Sequence, residues 1–280
     1  MSPAHELILC GLPAVQARFA RDPDSIKRLF FDEPTSRRLG AVCKALAATK
    51  RVYRCVPPAE LEKISGTLHH GGVVCVARAP VLTAPTPKEV AAWAARREPL
   101  LVLDRIGNAH NLGAIARSAA FFGVAHIVIP FHPSAALPGE AAHRVAEGGL
   151  EHITIWRVPT LPTFLAGLAA SGYEILGAAA HGGAPLARGA SARPFALVLG
   201  NEEHGLAPEV AKACTHLVSL AGSGRVESLN VSVAAAVLLH ALLARPGPAP
   251  APASANRRDC LPPRQRRDTS HRPTFAPPAP

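Results

Sequence analysis

Hydrophobic and polar positions follow two regimes along the chain. From Leu7 to about Ala77 the apolar runs are short and interleaved with charge. Ile26–Phe31 and Arg51–Val56 alternate as strands do, while Ala14–Phe19, Arg37–Thr49 and Ala59–Ser65 space their apolar residues as helix faces, with Leu39, Val42, Cys43 and Leu46 on one stripe. Gly72–Ala77 closes the set. The order predicts a small α/β unit over residues 1–80. Residues 81–98 hold Pro85, Pro87 and a short helix, Lys88–Arg97, and read as a linker.

From Pro99 the strand–helix alternation becomes regular and the runs more apolar. Leu100–Leu103, Ala125–Ile129, His152–Val158, Tyr173–Gly177, Ala196–Leu199 and Leu217–Leu220 are short and bounded by Gly, Pro or polar residues, the signature of strands buried on both faces of a parallel sheet. Helices over Asn111–Phe122, Pro138–Gly148 and Thr163–Ala170 alternate with them, and a long Ala/Val/Leu helix follows Asn230. Such alternation predicts an α/β fold with a mostly parallel sheet over residues 99–245. Residues 246–280 change character to Pro and Ala with scattered Arg, and are expected to form a disordered basic tail.

Composition narrows the class. The chain has 280 residues and a formal net charge of +10, which points to a polyanionic partner such as RNA. No apolar run reaches the roughly 18 residues of a membrane span, and no basic segment followed by an apolar core opens the chain. Its 6 cysteines are scattered with no CxxC pair, which supports neither a zinc site nor a redox pair and fits a reducing cytoplasm. His69-His70 reads as a turn with a hydrogen-bonded histidine, since no further ligands have suitable spacing. The cations Arg18, Arg21, Lys27, Arg28, Arg37, Arg38, Lys44, Lys50, Arg51 and Arg54 are expected to form a phosphate-gripping surface.

Candidate chemistry gathers where apolar runs stop. Ala196–Leu199 ends at Gly200-Asn201-Glu202, Leu217–Leu220 runs into Ala221-Gly222-Ser223-Gly224, and Glu227-Ser228-Leu229-Asn230 precedes the last helix. Open α/β sheets place ligand crevices at such strand ends. Gly200, Gly222 and Gly224 permit close backbone approach to a ligand. Ser228 and Asn230 also suit a helix cap.

These residues carry a resemblance. Leu197–Glu202 with Gly205-Leu206 is similar to motif 2 of the SpoU (TrmH-type) RNA 2′-O-ribose methyltransferases of the SPOUT class, and Gly224–Val233 to motif 3. Leu103-Asp104, Asn111–Arg117 and Phe122-Gly123 resemble motif 1. The residue pattern of 1–80, with His69–Val73, resembles the family's small L30e-like substrate-binding domain. The resemblance implies a SPOUT-type sheet with a C-terminal trefoil knot, S-adenosyl-L-methionine as methyl donor, structured RNA (ribosomal or transfer RNA) as substrate, no metal, and a homodimer through Val233, Val237, Leu238 and Leu242. By it, Gly200, Leu220 and Leu229 hold the donor, joined by Leu199, Asn201 and Ala178. Arg117, Asn111, Glu202, Ser228 and Asn230 carry the reaction: Arg117 grips the phosphate beside the target ribose, the asparagines orient, and Glu202 fixes the loop or bonds to Arg117.

Departures from the family pattern are Asn108-Ala109 in place of Asp-Pro, Glu203 in place of Gly, and Leu220-Ala221-Gly222 in place of Ile-Pro-Met. A Rossmann methyltransferase is the rival enzyme fold, but Ile106–His110 offers only one glycine where its turn would need several. A non-catalytic RNA-binding relative is the rival function, against which the retained Asn111, Arg117, Glu202, Ser228 and Asn230 argue.

Overall fold

A computed structural model describes residues 6–186 and 193–243. The Pro/Ala-rich tail expected over 246–280 lies outside the described residues.

The first sheet is built from β1 (Glu6–Cys10), β2 (Ile26–Phe31), β3 (Val52–Cys55) and β4 (Val73–Arg78), in the order β1-β4-β2-β3. β4 runs antiparallel to both neighbours and β2 parallel to β3. Helices α1 (Leu12–Arg21), α2 (Glu33–Ser36), α3 (Gly40–Ala48) and α4 (Pro58–Ser65) flank it. The apolar stripe read from the sequence is the buried one: Leu39, Val42 and Leu46 join Leu7, Leu9, Ile26, Leu29 and Cys75 in one core.

Helix α5 (Pro87–Arg96) starts at a capping box, in which Thr86 Oγ1 accepts from the Glu89 N–H while Glu89 returns the bond. Its Trp93 is buried against Leu100, Val128 and Leu165. The segment read as a linker therefore supplies a core helix.

The second sheet has seven strands, all parallel: β5 (Leu100–Leu103), β6 (His126–Pro130), β7 (Thr154–Val158), β8 (Glu174–Ala178), β9 (Ala184–Pro185), β10 (Phe195–Leu199) and β11 (His216–Ser219). Their order is β7-β6-β5-β10-β8-β11-β9. Every residue of β5 and β10 is buried, as apolar runs at the centre of a parallel sheet require. Helices α6 (Ala109–Phe121), α7 (Glu140–Ala146), α8 (Leu161–Ala170), α9 (Pro208–Ala213) and α10 (Val231–Leu243) cover the faces, and a 3-10 turn spans Gly149–His152. Both α9 and the two-residue β9 fall where the pattern had shown only loop. The chain fills β5, β6 and β7 outward in one direction, then β8, β10 and β11 lie on the other side of β5. Such a reversal opens a crevice beyond the C-terminal ends of the strands.

Helices α6 and α7 meet closely because Gly113 lacks a side chain: a Cβ there would stand 2.4 Å from the Ala142 carbonyl oxygen. Helix α10 packs on α6, and its Leu238 and Leu242 are turned into the core while Val233 and Val237 remain exposed. The apolar face expected of all four residues is thus reduced to two on α10, with the exposed Phe121 on the packed helix α6.

Candidate active site

Strands β5, β10, β8 and β11 end side by side at Leu103, Leu199, Ala178 and Ser219. Asp104, one residue past β5, is buried and holds this row together. Its N–H donates to the Leu199 carbonyl at 2.8 Å, while its carboxylate accepts from the Ala207 N–H at 2.7 Å and from Arg105 Nε at 3.0 Å. An acid at a strand end thus anchors the approach to α9.

Beyond β10 the chain doubles back at once. Asn201 and Gly205 exchange backbone hydrogen bonds at 3.0 and 2.9 Å. The Asn201 side chain accepts from the Glu203 and His204 N–H groups and donates to the Arg105 carbonyl at 3.0 Å. Gly200 is demanded by this fold-back: a Cβ would lie 2.3 Å from the Gly205 carbonyl carbon. The glycine expected to admit a ligand admits the chain's own loop instead, and Asn201 spends its side chain on that loop. Leu199 is likewise committed, its side chain in the core and its carbonyl bonded to Asp104.

The doubled-back loop presents Glu202, which accepts from Asn111 Nδ2 at 2.5 Å. Asn111 Oδ1 accepts from Asn230 Nδ2 at 3.1 Å. A carboxylate only accepts, so Glu202 fixes the Asn111 amide with its oxygen toward Asn230. Asn230 Oδ1 accepts from the Ser232 N–H at 2.9 Å and its hydroxyl at 2.6 Å, capping the start of α10. Asn108 caps α6 in the same way, through the His110 N–H at 2.8 Å. Three segments far apart in sequence, a loop, the first turn of α6 and the start of α10, are joined by one chain of side-chain bonds, and that chain is open to solvent.

Arg117 stands outside this chain. Six positions after Asn111 on α6, it points about a third of a turn away. It pairs with Glu147 at 3.0 Å, so the expected Glu202–Arg117 contact is not formed. More than half of each side chain in that pair is exposed. Glu147 follows α7 in the left-handed region, at φ 44. Ser228 and Leu229 lie exposed in the loop before α10, while Ala178 and Leu220 are half-buried at the ends of β8 and β11. Gly222 and Gly224 have no atom within 4 Å of where a Cβ would stand, which leaves that loop's face clear.

Much of the predicted cationic surface has other work. Arg18 is buried and bonds to the equally buried Glu151 at 2.8 Å, across the seam between α1 and the 3-10 turn. Arg21 donates to the carbonyls of Leu150, Glu151 and Ile153. Lys27 and Arg28 pair with Glu6, and Arg51 with Asp24. Arg37, Arg38, Lys44, Lys50 and Arg54 remain as the basic surface of the first sheet. His143 is packed beside the Arg18–Glu151 pair; burial, then the charges of Arg18 and Arg21, push its pKa down to about 4. Burial pushes Glu151 up, opposed by Arg18. The same 3-10 turn touches α6: a Cβ on Gly149 would stand 2.8 Å from the Arg117 Cα.

His70 is buried in its turn and accepts from the Gly72 N–H at 3.1 Å. Among the described residues no cluster of three or more His, Cys, Asp or Glu could hold a metal ion, and no helix is long and apolar enough to cross a membrane. Sequence reasoning left Asp104 uncertain and missed Glu147. An acid closing an apolar run was the available signal for the first; nothing local marked the second.

The chain resembles known proteins along most of its described length. A profile described as the SpoU rRNA Methylase family matches residues 98–240, and one described as RNA 2′-O ribose methyltransferase substrate binding matches residues 8–81. The chain is 35% identical over 237 residues to an uncharacterized tRNA/rRNA methyltransferase, YfiF, of Escherichia coli O157:H7, covering 84% of this chain and 67% of that one. It thus spans about two thirds of that relative's length. It is 33% identical over 237 residues to the 23S rRNA (guanosine-2′-O-)-methyltransferase RlmB of Nitrosomonas europaea, covering 84% of this chain and 90% of that one. The AdoMet-bound rRNA methyltransferase from Sinorhizobium meliloti has the same fold, with a TM-score of 0.68 at 22% identity over 84% of this chain and 85% of that one.

Proposed function

The chain belongs to the SpoU rRNA methylase family, and from that premise we propose that it methylates a ribose 2′-hydroxyl in structured RNA. When bound, S-adenosylmethionine would supply an electrophilic methyl group to the ribose oxygen and leave as S-adenosylhomocysteine, with the hydroxyl proton passing to solvent. The observation that carries the reading is the Glu202–Asn111–Asn230 bond chain at the crevice mouth.

The residues present suit a donor. The free face of Gly222 and Gly224, the exposed Leu229 and the strand-end positions Ala178 and Leu220 offer it backbone and apolar contact. Leu199, Gly200 and Asn201 act at one remove, by shaping the loop. Asn111 and Asn230 hydrogen-bond in both senses and orient the ribose. Ser228, exposed two residues before Asn230, joins them in this reading. A guanidinium holds its proton throughout the working pH range and is a poor base, so Arg117 grips the phosphodiester beside the target and positions it.

Residues 8–81 bring RNA to this crevice through the cations that no acid claims. Ribosomal RNA is the favoured substrate, because the Nitrosomonas relative, matched over 90% of its length, bears that activity in its name. Insertion of β10 between β5 and β8 supports the C-terminal knot of the fold. Val233, Val237 and Phe121 form the exposed apolar face of a homodimer. The site of action is the cytoplasm.

Calorimetric titration with S-adenosylmethionine tests the reading. Saturable heat, with the cofactor raising the unfolding temperature, is expected. No heat and no protection would leave an RNA-binding protein without catalysis.

A further inference from the structure

Phe131 is the first residue past β6, at the crevice end of the sheet, and it is 54% exposed. Single exposed apolar residues are ordinary on any surface. What sets this one apart is its underside: the Arg157 guanidinium lies 4.2 Å from the ring centroid. Among the described residues the buried Arg157 Nε has no hydrogen-bond partner, and the ring lies against its guanidinium. Phe131 is fixed by its N–H, which donates to the Val158 carbonyl at 2.8 Å, and Arg157 by its N–H on Thr83 at 2.9 Å. One ring face is thus backed by a cation. More than half of the residue is left to solvent.

The position connects it to the crevice. β5 and β6 pair as Leu100↔His126, an offset of 26 residues, and continuing that register sets Phe131 across from Arg105. Arg105 in turn holds Asn201 through its carbonyl. The loop after β6 is also bound to the loop before α6: the Ala136 N–H donates to the Ile106 carbonyl at 2.8 Å, and a Cβ on Gly107 would stand 3.2 Å from the Ser134 oxygen. Asn201 and Arg105 are thus bonded to each other past the ends of β10 and β5, and Phe131 follows the end of β6, the strand on the other side of β5.

We propose that the Phe131–Arg157 stack is a platform for an unpaired nucleobase of the RNA, next to the nucleotide whose ribose enters the crevice. Flat, rigid and cation-backed, it offers a π-face that any base can cover, with the guanidinium adding charge toward the phosphates. Stacking of this kind tolerates sequence, so the platform fixes a strand's path and its unpaired state. The inference rests on the reading of the crevice as an RNA-modifying site.

A short single-stranded oligoribonucleotide with one 2-aminopurine is the probe, titrated into the full chain. Stacking quenches 2-aminopurine, so the parent chain is expected to quench it and the Phe131→Ala variant to lose the quench. That variant is expected to bind the strand about 5- to 100-fold more weakly. Phe131→Trp is expected to keep both, as a larger ring on the same support. Unchanged affinity and quench in Phe131→Ala overturn the platform, as does equal loss in the Trp and Ala variants, which would mark a packing role. Cofactor heat is measured on the same samples: its absence from the parent chain would overturn the proposed function, while its presence with an unaffected Phe131→Ala would overturn the platform alone.

Discussion

Replacing Arg18 with Met tests how the two sheets are joined. Arg18 and Glu151 have side-chain exposures of 6% and 1% and meet at 2.8 Å, so the substitution leaves a carboxylate buried without its counter-ion. Removing one partner of such a pair costs about 3 to 5 kcal/mol. In a folded unit of this size that lowers the melting temperature by roughly 6 to 20 °C. A second signature follows from the sign of the titration. Burial already raises Glu151, and losing Arg18, which opposes that rise, raises it further. A carboxyl raised in the folded state costs stability as pH climbs through its folded pKa, so the Arg18→Met deficit is expected to be larger at pH 8 than at pH 5. Adding Glu151→Leu is expected to restore most of the loss, because a matched apolar pair no longer buries a lone charge. Circular dichroism melts of the parent, single and double variants provide the assay. A single variant that melts with the parent, or a double variant no better than the single, would refute the reasoning.

Three further outcomes follow. Gly200→Ala drives a Cβ to 2.3 Å from the Gly205 backbone, so the Asn201–Gly205 turn must open; a loss of about 1 to 3 kcal/mol and of cofactor heat is expected, and unchanged melting and titration curves would contradict it. Arg117→Lys is expected to lower kcat/KM about tenfold or more if the guanidinium grips phosphate with two N–H groups, whereas Glu147→Gln frees Arg117 from an exposed pair and is expected to lower the KM for RNA by no more than about fivefold, read from initial rates. Stability is expected to fall as pH drops from 6.5 toward 4: His143 is depressed to about 4 and stays neutral in the fold while the unfolded chain takes up a proton. The shift from 6.5 to about 4 sets a ceiling of ~3 kcal/mol, reduced by the opposite trend of Glu151 above pH 4.5, and His143→Gln melts that keep the parent's slope would count against it.

Apolar runs made most of this fold legible. A strand buried on both faces must be apolar throughout, and β5 and β10 were evident for that reason. Helix α9, Pro208–Ala213, was not: six residues are too few to show a period, and only Val210 is buried. Trp93 sits in a segment whose prolines suggested a linker, yet Pro87 is the first residue of a capped helix. Within the site, Asn111, Glu202 and Asn230 were singled out from sequence and the structure brings them into bonding distance. The roles of Gly200 and Asn201 were hidden because the contacts they make are with their own loop. Charge was the least readable signal: Arg18 and Arg51 look alike in sequence to Arg37 and Arg38, and only the fold shows which cations face an acid.

The central claim, that a ribose oxygen receives a methyl group in the crevice bounded by Asn111, Glu202 and Asn230, is tested most directly by incubating the chain with RNA and S-adenosylmethionine labelled in its methyl group, then hydrolysing the RNA in alkali. A methylated 2′-oxygen blocks cleavage of the adjoining phosphodiester, so label in alkali-resistant dinucleotides, abolished by Asn111→Ala, is the predicted result. Label released in mononucleotides, or in a base, would contradict the account.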